Sequence, residues 1–93
     1  MNFVGKIDIE KYKCITKDIT TDEVIITNER IKHIKERHPN DYEQYFKYVD
    51  EILENPDYIL EANKPNTAFI LKRITENKKD YQMILRLKTS ADP

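Results

Sequence analysis

"DYILEANKPNTAFILKRITENKKDYQMILRLK", residues 57–88, contains three runs rich in β-branched and aromatic residues, at 57–62, 67–74 and 81–88. The spacers between them, "NKPN" and "TENKKD", are made of turn formers and charge, so the stretch reads as three strands joined by turns, a β-meander. Upstream, "NDYEQYFKYVDEILENP" (40–56) places apolar residues at 42, 45, 46, 49, 52 and 53, the spacing of one helical face. Asn40 with Glu43 three residues on forms a capping pattern, and Asn55 and Pro56 stop the helix, which is predicted over 42–54.

The preceding words, "ITNERIKHIKERHPND" (26–41), predict another helix over 28–38. Thr27 can cap its orphan amides, Ile26 can staple onto Ile31, and Pro39 cannot continue it. The N-terminal third is rich in β-branched residues without a helical period and suggests short strands near 3–7, 12–15 and 24–26. The expected fold class is therefore α+β, with N-terminal short strands and two helices packed on an antiparallel β-meander.

With 93 residues the chain is one domain, 1–93, with material for a single modest core. Its 39% apolar and 35% charged residues, with nine aromatics among them, describe a globular protein and not a disordered one. No run approaches the ~20 apolar residues of a membrane span and the N-terminus lacks a signal-peptide pattern, so a cytoplasmic protein without membrane association is expected. The lone Cys14 has no disulfide or zinc partner and reads as a buried thiol. A net charge of −1 argues against strong nonspecific nucleic-acid binding while leaving room for a local basic groove.

Such a groove has a candidate. On the 28–38 helix, Arg30, His33 and Arg37 share one face at i, i+3, i+7, while Ile31, Ile34 and His38 share another. The first set is a solvated basic face and, if RNA binds, the track for its phosphates. His38 has two readings: a histidine favoured by the helix C-terminus, or a proton-transfer group. The two histidines lie about 140° apart around the helix and no HExxH pattern or cysteine pair completes a ligand set, so neither metal nor cofactor is expected.

On the strands, Lys72 alternates with Ile70 and Ile74, and Arg86 with Ile84 and Lys88. Each either lays its stem along an apolar surface or presents its cation to an anion near His38. A histidine with one or two cations suffices to cleave RNA through its own 2′-hydroxyl. Tyr42 and Tyr45, on the apolar face of the second helix, read as core rather than as base-stacking platforms.

The words "EVIITNERIKHIKERHP", "EILENPDYIL", "NTAFILKRI" and "MILRLKTSADP", in that order, resemble the prophage-encoded nucleases grouped as phage barnase–EndoU–colicin–RelE-like, over the chain from its first residues to its last. The resemblance implies a metal-independent RNase with a helical N-terminal part packed on a four-stranded antiparallel sheet, in a phage or mobile-element setting. It places an expected catalytic residue on His38, the histidine of "RHP", and basic strand positions on Lys72 and Arg86. The resembling proteins continue past "TSADP" into a further strand, which this chain, ending at Pro93, does not show. The expectation is then an exposed edge strand able to recruit a host protein or form a homodimer. Two readings stay open: an endoribonuclease with His38, Lys72 and Arg86 as its catalytic set, or an inactive nuclease-like scaffold that binds a host defence protein or RNA.

Overall fold

The computed structural model describes residues 2–92 and begins with a hairpin-like pair. Strand β1 (Asn2–Lys6) pairs antiparallel with β2 (Glu23–Ile26), and a bulge between Phe3 and Gly5 shifts the register. Between them lies a single helical turn, α1 (Ile9–Tyr12), where the sequence suggested a strand near 12–15. The Asp8 carboxylate accepts the Glu10 N–H and starts the turn. Tyr12 is then fully buried with its hydroxyl donating 2.8 Å to the Leu53 carbonyl. A tertiary contact overrides the β-branched composition that follows, and Cys14 ends up exposed, not buried.

Helix α2 (Asn28–Arg37) starts as its sequence requires, with the Thr27 hydroxyl accepting the Arg30 N–H at 3.2 Å. It contains no buried residue; Ile31 and Ile34 are only half-covered. The helix expected over 42–54 is divided at Tyr48 into α3 (Tyr42–Lys47) and α4 (Val49–Glu54). Tyr48 leaves the helical region (φ −101°, ψ 4°) and buries its ring 5.8 Å from that of Tyr81. Past this break α4 sends Ile52 and Leu53 to the core, whereas α3 contains no buried residue. Where α4 crosses β1 the fit is close: a Cβ on Gly5, the chain's only glycine, would run into the Asp50 carboxylate. Lys11 donates 2.9 Å to the Glu54 carbonyl and 3.1 Å to Asn55 Oδ1, closing the C-terminal end of α4.

The meander is present as read: β3 (Tyr58–Glu61), β4 (Thr67–Ile74) and β5 (Lys79–Arg86) form an antiparallel sheet in that order. The last strand begins and ends two residues earlier than 81–88, because left-handed Lys78 (φ 57°) closes the preceding turn early. Register decides what each face carries. Lys72 lies opposite Tyr81, Ile70 opposite Met83 and Ala68 opposite Leu85, and this face meets Ile52, Leu53 and Tyr12 in the core. The other face carries Tyr58, Leu60, Phe69, Leu71 and Ile84, and Tyr58, Leu60 and Ile84 are exposed.

Candidate functional site

His38 is where α2 ends and α3 is prepared. Its N–H donates 2.8 Å to the Ile34 carbonyl, and its own carbonyl accepts the N–H groups of Asp41 (3.3 Å) and Tyr42 (3.0 Å). The residue leaves the helical region (φ −127°, ψ 61°), as a residue before proline must. The backbone is thus held from both sides at the point that carries the imidazole.

The ring is held as well. It stacks on Tyr45 with centroids 6.1 Å apart and planes inclined by 15°, and Nδ1 lies 3.6 Å from the Asp41 carboxylate. Tyr45 is itself fastened to the sheet: its hydroxyl donates 2.8 Å to the Gln82 carbonyl and its ring meets Tyr81 edge-on at 6.0 Å. Burial raises the pKa of the Tyr45 phenol, which therefore remains a donor at neutral pH. With about half of its side chain exposed, His38 keeps access to solvent. Asp41 stands on the Nδ1 side of the ring.

The cations of the sequence reading are distributed differently. Arg30, His33 and Arg37 are all exposed on α2, and their side chains have no hydrogen-bond or ion-pair partner among the described residues. Lys72 faces the helix-covered side, with its side chain only 16% exposed and its ammonium 3.5 Å from Asp57. Arg86 lies opposite Thr67 on the other face, with its guanidinium 2.8 Å from Asp92. Lys72 and Arg86 are therefore on opposite sides of the sheet and do not converge on one anion. The row of Lys72 meets β5 at Tyr81, five residues before Arg86, which adds about 17 Å along the strand.

The structure instead brings His38, Asp41 and Tyr45 together. Asp41 stands in the quoted stretch three residues after His38, a spacing that could have drawn attention to it. Tyr45 reads as core and is half-buried, and its free surface is what the imidazole rests on. A groove of about 450 Å³ runs elsewhere, between β2 and β5, lined by Ile7, Val24, Leu85, Arg86 and Leu87 among others. None of the His38 cluster lines it, and the His38 side chain is about half exposed. Among the described residues no group of three or more His, Cys, Asp or Glu side chains is placed to hold a metal ion, and no helix is long and apolar enough to cross a membrane.

Comparison with known proteins gives one match. A family model described as phage-Barnase-EndoU-ColicinE5/D-RelE like nuclease2 matches residues 1–92. No curated protein and no solved structure matches.

Proposed function

The chain belongs to the phage-Barnase-EndoU-ColicinE5/D-RelE like nuclease family, and on that premise we propose that it is a metal-independent endoribonuclease acting through His38. The observation that carries the reading is the mounting of His38: backbone bonded on both sides, ring laid on Tyr45 and Nδ1 turned to Asp41.

In this mechanism the His38 ring nitrogen away from Asp41 takes the proton of a ribose 2′-hydroxyl. The 2′-oxygen forms a bond to the adjacent phosphorus, and the bond to the 5′-oxygen breaks. That oxygen takes a proton from water as it leaves, and the imidazolium returns its own to solvent, which gives a 2′,3′-cyclic phosphate and a 5′-hydroxyl. The imidazolium formed is stabilised by Asp41. The phosphates are held by α2, where Arg30, His33 and Arg37 form one exposed face and Arg37 adjoins His38 in the chain. Lys72 and Arg86, expected to stabilise the phosphorane, are each engaged by a carboxylate, so either contributes only once Asp57 or Asp92 gives way.

The test is cleavage of end-labelled RNA in EDTA by the wild type and by His38→Ala, both shown by circular dichroism to be folded. Cyclic phosphate ends and a loss of about 10² to 10⁴ in rate on removing the proton-transfer group are expected. A wild type that does not cleave, or a His38→Ala variant as active as the wild type, would sink the assignment. The second reading, a nuclease-like scaffold that binds a host protein or RNA without turnover, draws on the uncovered apolar face of the sheet, and an inert wild type would favour it.

A further inference from the structure

The face of the β3–β4–β5 sheet turned away from the helices is an apolar surface with a regular layout. In register across the three strands it presents Tyr58, Leu71 and Gln82 in one row and Leu60, Phe69 and Ile84 in the next. Tyr58, Leu60 and Ile84 are 65%, 49% and 69% exposed, and Phe69 and Leu71 are partly covered between them.

We propose that this face is the contact surface of a homodimer, in which two copies of the chain pack sheet on sheet.

The charges at its ends choose this occupant. Arg73 is paired with Asp80 at 3.2 Å beyond the first row, and Arg86 with Asp92 at 2.8 Å beyond the second. The face therefore carries its arginines already matched one for one by carboxylates. An RNA strand would find both arginines of that face already engaged, whereas Arg30, His33 and Arg37 on α2 have no partner among the described residues. Two copies stacked face to face bring apolar rows together, with neutral ion pairs at either end. The chain's net charge of −1 sets up almost no repulsion between copies.

The area is of the right order. At ~200 Å² for a large side chain, the exposed fractions amount to roughly 400 Å² of apolar surface per copy. A specific interface removes about 800 Å² per partner, so the apolar centre supplies about half and the rim residues Arg73, Asp80, Gln82 and Arg86 the remainder. Aligned sheets pack about 10 Å apart with strands inclined by about 30°, a geometry that the twist of a three-stranded sheet permits.

The edge of β5 is the weaker surface for self-association. The Tyr45 hydroxyl occupies the Gln82 carbonyl, and the Thr20 N–H and hydroxyl donate to the Lys88 carbonyl at 3.0 and 3.3 Å. Only a short window between them is open to another strand. The face contact leaves His38 free, because Tyr45 beneath it meets Tyr81, on the helix-covered side.

The test is sedimentation velocity of the full chain from low to several hundred micromolar, for the wild type, Ile84→Glu, Leu60→Glu and, as a control on the other exposed apolar pair, Phe3→Glu, all shown by circular dichroism to be folded. The wild type and Phe3→Glu should show a sedimentation coefficient that rises with concentration, and self-association in the two sheet-face variants should weaken at least about tenfold. A wild type monomeric throughout would overturn the proposal, as would dimerisation that survives Ile84→Glu and Leu60→Glu, or that Phe3→Glu alone abolishes. A monomeric wild type whose RNA binding is lost in Ile84→Glu would give the face to RNA and equally end the proposal. None of these outcomes depends on whether His38 is catalytic.

Discussion

The two faces of the β3–β4–β5 sheet are built from similar side chains and have opposite surroundings. Ile70 and Ile84 illustrate it: they stand near each other on adjacent strands, yet Ile70 is fully buried under α4 whereas Ile84 is the most exposed large apolar residue described. Apolarity alone does not make a core. The register decides which residues stand on the side that meets Ile52 and Leu53 of α4. The His38 cluster is fastened to the sheet from the helix side through Tyr45, and the opposite side presents Tyr58, Leu60 and Ile84 to solvent.

The sharpest way to break that comparison is to truncate both isoleucines and follow urea unfolding at low protein concentration. Ile70→Ala should cost about 2–5 kcal/mol, because it removes buried methyl groups and leaves a cavity. Ile84→Ala should stay within about 0.5 kcal/mol, as surface changes do. Equal costs would mean that the open face is covered in the monomer.

A smaller effect is expected at the joint between α1 and α4. Tyr12→Phe keeps the buried ring and leaves the Leu53 carbonyl without its donor, which should cost about 1–3 kcal/mol in the same unfolding measurement. Smaller again is Thr27→Ala, which removes the cap of α2 at about 1 kcal/mol. Since α2 contains no buried residue, that loss should appear as faster amide exchange within Asn28–Arg37 and not as a shift of the global unfolding midpoint. A global shift would show that α2 is coupled to the core.

Acid should act through two pinned carboxylates. Asp57 is held below the usual carboxylate range first by the Arg73 N–H and then by Lys72, and Asp92 first by the Thr89 N–H and then by Arg86. The folded state therefore binds fewer protons at these groups than the unfolded state. Their contribution is fully present above the unfolded value near ~4 and is lost as pH falls through the lower folded values. Urea midpoints measured across that range should fall towards acid, and less steeply in Asp57→Asn. An unchanged slope in that variant would remove Asp57 from the account.

Much of this architecture was legible in the sequence because its signals are local. Thr27 before the first turn and Pro39 after the last bounded α2 from both ends, and "TAFILKRI" between Pro65-Asn66 and a charged turn matched β4 residue for residue. The errors fall where tertiary contacts overrule local preference. Tyr12 turns a β-branched segment into a helical turn by reaching Leu53, and Tyr48 breaks a continuous helical pattern by reaching Tyr81.

For the candidate site, the sequence offered His38, Lys72 and Arg86 together, and the fold places Lys72 and Arg86 on opposite faces of the sheet. His38 stood out through the resemblance of "HIKERHP", whereas its partners Asp41 and Tyr45 came from the fold. Lys72 and Arg86 each alternate correctly along their own strands. Whether they share a face depends on the parity of the register across the turn at 75–78, and alternation within one strand contains no information on that. The "EILENPDYIL" motif turns out to be scaffold: Asn55 receives Lys11, and Asp57 ties the start of β3 to Arg73 of β4.

The most direct measurement is RNA cleavage in EDTA by His38→Ala and Ile84→Glu side by side with the wild type, with end-group analysis of the products. The account predicts that cleavage to cyclic phosphate ends is lost in His38→Ala and retained in Ile84→Glu. Retention in the first with loss in the second would contradict it and move the chemistry to the open face.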